Sequence, residues 1–194
     1  MIRLVKRTQL DEKKYNHCIS NSFENRIFAY SWYLDAVTDS WEVLVCKDYS
    51  AVMPLPFRIK YGIKYVYPPF WVLELGMFSQ SDENSINEFI SILSKNYQFV
   101  ELKLNTKNYL DDFSKRYQTK ELQFLYLNTD YHSIYKNYKK DKKKVLKRAK
   151  ESELLENWND NPEKLIELFK KNIGSRISKL VDKDYEVLLD LMNE

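Results

Sequence analysis

The chain has 194 residues, 44% of them hydrophobic, 15% aromatic and 30% charged. That mix can build a packed core and excludes a disordered or low-complexity class. Thirty-one basic against 28 acidic residues leave a net charge of +3, too little for a global pull on a polyanion, so any electrostatic function must be local.

Two cysteines, Cys18 and Cys46, do not make a disulfide framework; both fall in apolar patterns and read as small buried residues. No stretch of about 20 apolar residues predicts a membrane-spanning helix. The opening "MIRLVKRTQLDEKK" lacks the apolar region of a signal peptide, so a reducing, cytoplasmic setting is the expectation.

In chain order, "IRLVKR" (Ile2 to Arg7) alternates apolar and basic residues and predicts a strand. A helix follows with Asp11 as its N-cap and Tyr15, Cys18 and Ile19 on one face. Ser31 is the expected cap of a second helix carrying Trp32, Leu34, Ala36 and Val37. "WEVLVCK", the turn "DYS" and "AVMPLPFRIK" predict a hairpin. Its return strand carries Pro54 and Pro56 two apart, and a proline cannot donate to the ladder, so this strand is expected at an edge or bulged. Tyr61-Gly62 turns into a further strand, "IKYVYPP". "PPFWVLELGMFS" is apolar on both faces with one acid, Glu74, inside it. A helix with Ile86, Phe89, Ile90 and Leu93 as its stripe follows, with Ser81 or Asp82 as cap. Next come a strand "FVELKLN", a short helix "YLDDFSKRY" and a strand "TKELQFLYLN". The remainder predicts a basic helix from about Asp130 to Ser152, a weak strand "LLENW", a helix opened by Pro162 and a last helix "KDYEVLLDLMNE".

This order predicts an α+β fold with a largely antiparallel sheet over residues 1–128 and a mainly helical segment over 129–194. The second part reads as a small helical bundle or, as the preferred expectation, the opening of a further α/β unit whose strands would lie beyond Glu194.

"FAYSWYLDAVTDSWEVLVCKDYSAVMPLPFRIKYGIKYVYPPFWVLELGMFS" (Phe28 to Ser79) resembles the first half of bacterial FemAB-like proteins, which have two GNAT-like (acyl-CoA N-acyltransferase-like) domains. The shared pattern is a Tyr-Leu helix, a Trp-led strand, "PLP", a basic-Tyr-Gly turn, a Pro-Pro-Phe element and "LG-x-FS". "NYKKDKKKVLKRAKES" resembles the basic helix that opens the second domain of those proteins. The resemblance implies a GNAT-like, mixed and largely antiparallel sheet flanked by helices. It also implies N-acyl or aminoacyl transfer, in the Fem branch to peptidoglycan cross-bridges, with acyl-CoA or aminoacyl-tRNA as donor substrate. The chain departs from the pattern with Glu74 where many relatives carry glutamine. Its three glycines supply no Gly-rich loop for a pyrophosphate, so no cofactor is assigned to the chain itself.

The basic helix carries nine Lys or Arg and two acids between Tyr135 and Ser152. Tyr131, Ile134, Tyr135, Tyr138, Val145, Leu146 and Ala149 form its apolar stripe. Two readings stay open: a solvated face of a docked amphipathic helix, or a site for a phosphate- or carboxylate-bearing ligand. Lys143, Lys144, Lys147 and Arg148 match the family's basic positions best, and the ligand would be an anionic small molecule or tRNA. Arg58, Lys60 and Lys64 flank the Tyr61-Gly62 turn; they read as a charged hairpin tip or the rim of a cleft. Tyr67 and Trp71, with Phe70, line a groove or pack in the core. No catalytic residue is assigned. Glu74 is the one candidate base for an acceptor amine, against a strand residue or a structural ion pair with a partner such as Arg58. No metal-ligand spacing, P-loop or nucleophile elbow is present. The function classes that remain are an N-acyltransferase or its substrate-binding half, and a nucleic-acid-binding or scaffold module using the Lys-rich helix 131–152; the sequence sets no oligomeric state.

Overall fold

The computed structural model describes residues 1–81, 85–110, 118–123, 125, 127–153, 155, 157, 159–178 and 180–193. Its elements in chain order are β1 (Ile2–Lys6), α1 (Glu12–Ser20), α2 (Ser31–Val37), β2 (Trp41–Cys46), β3 (Ala51–Lys60), β4 (Ile63–Val66), β5 (Phe78–Ser79), α3 (Ile86–Asn96) and β6 (Phe99–Val100). They continue with α4 (Tyr131–Lys136), α5 (Lys140–Glu151), α6 (Pro162–Lys171) and α7 (Asp182–Asn193). These form two compact units: Met1–Phe113 with Pro162–Glu194, and Ser114–Asn161. The sequence-based division at residue 128 does not coincide with this one, because α6 and α7 belong with the sheet.

In the first unit the strand order is β1-β2-β3-β4-β6, with β5 beside β3. Every pairing is antiparallel except β4 with β6, which is parallel and follows the α3 crossover. The fold is thus mixed α+β, a mostly antiparallel sheet flanked by helices. Both of its faces are covered. On one, Val43, Val45 and Val52 meet Tyr15, Cys18 and Ile19 of α1 and Leu34 of α2. On the other, Leu44, Met53 and Leu55 meet Phe89 and Leu93 of α3. All six residues of β2 are therefore buried, and each large apolar side chain so enclosed contributes about 1.5–3 kcal/mol. Asp11 caps α1 by accepting from the Lys14 backbone N–H at 3.1 Å. Both cysteines are free and buried, and burial pushes the Cys18 thiol up to about 12.

Several local expectations are corrected. β3 is an interior strand, yet its prolines fall where one of its edges is open. Ala51 and Val52 pair with β5, and Phe57 to Lys60 pair with β4. Pro54 and Pro56 occupy the gap between them while their other edge pairs with β2. Ser31 does not cap α2; its hydroxyl donates instead to Glu12 at 3.0 Å. The residue before α3 is Ser85, without a side-chain cap bond; of the two expected caps, Asp82 lies outside the described residues. "FVELKLN" yields the two-residue β6, whose Phe99 and Val100 remain exposed, and further on an isolated parallel bridge of Leu104 with Leu75. Residues 118–123, 125 and 127 take no regular form where the strand "TKELQFLYLN" was expected. Most of the "YLDDFSKRY" helix (111–117) and three residues of "LLENW" (154, 156 and 158) lie outside the described residues. The single basic helix is two, α4 and α5, separated at Asn137–Lys139. The helix closes there: Asn137 and Tyr138 N–H each donate only three residues back, to Ile134 O and Tyr135 O at 3.1 Å, and Lys139 is extended.

Gly76 anchors the chain between β4 and β5. Its φ is +99°, and an added Cβ would lie 2.1 Å from Asn108 Oδ1. That same amide clamps the next residue: Asn108 Oδ1 accepts from Met77 N–H at 2.7 Å, and the Asn108 and Asn105 Nδ2 groups donate to Met77 O at 3.0 Å. Gly76→Ala should therefore cost more than about 1 kcal/mol in urea unfolding; wild-type stability in that variant would contradict the clamp.

Candidate functional site

The predicted binding residues divide between the two units. In the second unit, α5 carries Lys143, Lys144, Lys147 and Arg148. Seven of its 12 residues are basic and two acidic, and none is buried. Lys143 is partly committed. Its Nζ donates to Lys136 O, at the C-terminus of α4, at 2.9 Å, and lies 5.3 Å from the Tyr135 ring centroid. Lys147 meets Glu151 only at 3.8 Å, a spacing worth a few tenths of a kcal/mol. Lys144 and Arg148 lie one turn apart and are both exposed. The predicted stripe is not fully buried: Tyr131 and Val145 are exposed, and Ile134, Tyr135, Tyr138, Leu146 and Ala149 are half-buried.

In the first unit, β3 and β4 bring Arg58 and Tyr67 together. The guanidinium sits 4.2 Å over the Tyr67 ring and donates to Asp39 at 2.6 Å. Lys183, at the start of α7, donates to the other Asp39 oxygen at 2.6 Å. Hydrogen bonds from Lys183 and then Arg58 hold the Asp39 carboxyl below its usual range. Burial raises the Tyr67 phenol, with Arg58 opposing; its hydroxyl has no well-formed hydrogen bond, the Asp39 backbone amide approaching only loosely. A cleft of about 440 Å³ opens alongside, lined by Asp39, Ser40, Phe57, Arg58, Lys60 and Tyr65 among others. Trp71 is not part of this cleft. Its indole N–H donates to Asp184 O of α7 at 2.7 Å, and its own carbonyl accepts from the Tyr33 hydroxyl of α2 at 2.7 Å. With Phe169 at 6.2 Å, it joins α6 and α7 to the sheet unit. Lys64, grouped with Arg58 in the sequence as hairpin tip or rim, pairs opposite Ile59 and turns to the other face, toward Glu42.

Two buried carboxylates complete the charged groups. Glu74 is 3% exposed and accepts from Arg26 Nε at 2.5 Å; Arg26 also pairs with Glu24, which in turn accepts from Thr106 at 2.7 Å. The ion pair exists with Arg26, whereas Arg58 takes Asp39. So enclosed, Glu74 has no open approach for an acceptor amine, although its Oε2 lacks a partner. Glu42 is 2% exposed and accepts from Lys64 and from the Tyr97 hydroxyl. Lys64 Nζ lies 3.9 Å from the Phe57 ring centroid, and burial with the Glu42 bond raises the Tyr97 phenol strongly. Arg26, Glu42, Tyr97, Asp39 and Lys183 were not singled out from the sequence. Glu42 alone carried a signal, an acid inside the apolar run "WEVLVC". Among the described residues, no group of three His, Cys, Asp or Glu could hold a metal ion, and no helix is long and apolar enough to cross a membrane.

Comparison with protein-family models, with curated proteins and with solved structures returns no match for this chain.

Arg26→Met and Lys64→Met should each strand a buried carboxylate. The cations keep 25% and 34% side-chain exposure, so the expected loss is about 2–3 kcal/mol, below the roughly 3–5 kcal/mol of fully buried pairs. A double replacement, Arg26→Met with Glu74→Leu, should recover the part owed to Glu74, with Glu24 left to its bond from Thr106; a neutral single variant in urea unfolding would contradict the pairing. Asp39 has a folded-state pKa below its unfolded value of about 3.9. Its stabilising contribution is therefore complete above that value and is lost as pH falls through the folded pKa. Between pH 6 and pH 3, wild type should lose more stability than Asp39→Asn; equal losses would contradict the bridge.

Proposed function

We propose that the chain is the substrate-binding half of a FemAB-like N-acyltransferase and that α5 holds the phosphate-bearing part of its substrate. The single observation that carries this reading is the charge of α5: seven basic residues against two acids on a helix with no buried residue. A helix of like charges opposes its own formation, and an anion with several phosphates offsets that repulsion. The motif order from Phe28 to Ser79 and the mostly antiparallel sheet flanked by helices support a GNAT-like assignment for the first unit. Two free thiols fit a cytoplasmic setting.

The reaction is attack of an amine nitrogen on an acyl ester or thioester carbonyl. A C–N bond forms, the C–O or C–S bond breaks, and the ammonium proton leaves with the departing alcohol or thiol. The donor is an aminoacyl-tRNA or an acyl-CoA; the acceptor is an amine of a peptidoglycan precursor. The chain contributes charge and position: Lys144, Lys147 and Arg148 carry the exposed charge, and Lys143 ties α5 to α4. Glu74 is not assigned as the base, since it is enclosed with Arg26.

Fluorescence anisotropy with a labelled tRNA acceptor-stem minihelix and a nucleotide-linked cell-wall precursor tests this. One of the two should bind saturably, and Lys144→Glu, Lys147→Glu and Arg148→Glu combined should weaken it at least tenfold. For the minihelix, phosphate contacts by these three and Lys143 predict a log–log salt slope of about −3 to −4. Unchanged binding by the combined variant would overturn the proposal. Equal binding to any RNA, with the precursor ignored, would favour a nucleic-acid-binding module on the same helix.

A further inference from the structure

We infer that the far end of β3 is a strand-addition site for an extended acidic peptide, with acids at alternate positions and an apolar residue between them. It rests on the first unit alone and stands independently of α5.

The argument begins with the register. β2 stops at Trp41, opposite Pro56, while β3 runs on to Lys60. Phe57 N–H makes one more bond on that side, to Ser40 O at 2.9 Å. From Phe57 to Lys60 the only pairing strand among the described residues is β4, on the opposite edge. Backbone groups alternate sides along a strand, so Ile59, in step with Phe57, turns its N–H and C=O away from β4. The cleft of about 440 Å³ lies along this edge, which leaves space for a guest backbone.

Side chains alternate too. Arg58 and Lys60, two apart, share one face of β3, and Ile59 lies on the other at 66% exposure. A guest strand antiparallel to β3 would hydrogen-bond through the residue opposite Ile59 and set one neighbour opposite Lys60 and the other opposite Arg58, where its carboxylate would take the place of Asp39, which keeps its bond from Lys183. Directly opposed charges of unlike sign stabilise such a pair, so those neighbours should be acidic and the residue between them apolar. The local balance agrees: Arg58 and Lys183 share one carboxylate, Asp39, and Lys60 lines the same cleft. The Tyr67 ring beneath Arg58 holds the guanidinium in place. Main-chain bonds would supply affinity and the alternating charges the register.

The test is anisotropy of the whole chain at low salt with a labelled pentapeptide alternating glutamate and valine. Saturable binding is expected. N-methylation of the valines should weaken it at least tenfold, as should Arg58→Glu with Lys60→Glu, and a peptide with lysine for glutamate should not bind. Circular dichroism confirms that the double variant remains folded, and the N-methylated peptide tests the backbone bonds without altering the protein. Absence of saturable binding would overturn the inference. So would equal binding of the N-methylated peptide, which would show attraction of an anion without strand addition.

Discussion

The architecture of the sheet unit follows from what Pro54 and Pro56 withhold. Neither has a backbone N–H to offer, and both stand on the edge of β3 that faces away from β2. Among the described residues no strand pairs across that stretch, and Tyr67 N–H alone reaches Pro56 O, at 3.1 Å. β5 takes the two residues before it and β4 the four residues after it. One ten-residue strand thereby organises three partners, and the chain between β4 and β5 is left to cross the gap. Phe70 to Met77 makes that crossing, closed by the asparagine clamp over Gly76. The same overhang carries Arg58 and Lys60 past the end of β2 and opens the cleft beside Asp39.

Charge is placed under a second constraint. Two carboxylates are buried on a unit whose helices cover both faces of the sheet, and each is met by a cation from a distant segment. Glu42 draws β2, β4 and the end of α3 together through Lys64 and Tyr97. Glu74 fixes the crossing segment to the loop before α2 through Arg26. Such pairs add little net stability over apolar packing, but losing one partner is costly, so they restrict which arrangement the elements adopt. In contrast, α5 has cations with few partners among the described residues, which is why the functional reading falls there and not on Glu74.

Elements whose cause is local were legible in the sequence. Asp11 and the spacing of Tyr15, Cys18 and Ile19 predicted α1; the alternation of "WEVLVC" and the Tyr61-Gly62 turn predicted the hairpins; Pro162 marked the start of α6. Where the cause is a distant partner, the sequence fell short. Arg26 lies in a loop without periodicity, 48 residues from Glu74. Lys183 is separated from Asp39 by 144 residues. For Trp71 the sequence left groove and core both open, because nothing near it announces the Asp184 carbonyl that takes its N–H. The apolar character of "FVELKLN" overstated β6, since strand propensity reflects burial that Phe99 and Val100 do not obtain. The charge of α5 was visible at once, but the break that separates it from α4 was not, because no proline or glycine marks it.

Amide hydrogen exchange along β3 tests the partner change most directly. Arg58 and Ile59 are neighbours in one hairpin arm with similar exposure to fraying, yet the register pairs the Arg58 backbone with β4 and leaves that of Ile59 open. In the free protein, after correction for intrinsic rates, Ile59 should exchange roughly tenfold faster than Arg58 or more, while Leu55 and Phe57 stay protected. Protection of Ile59 equal to that of Leu55 would contradict the account, because it would mean that a strand already occupies the edge.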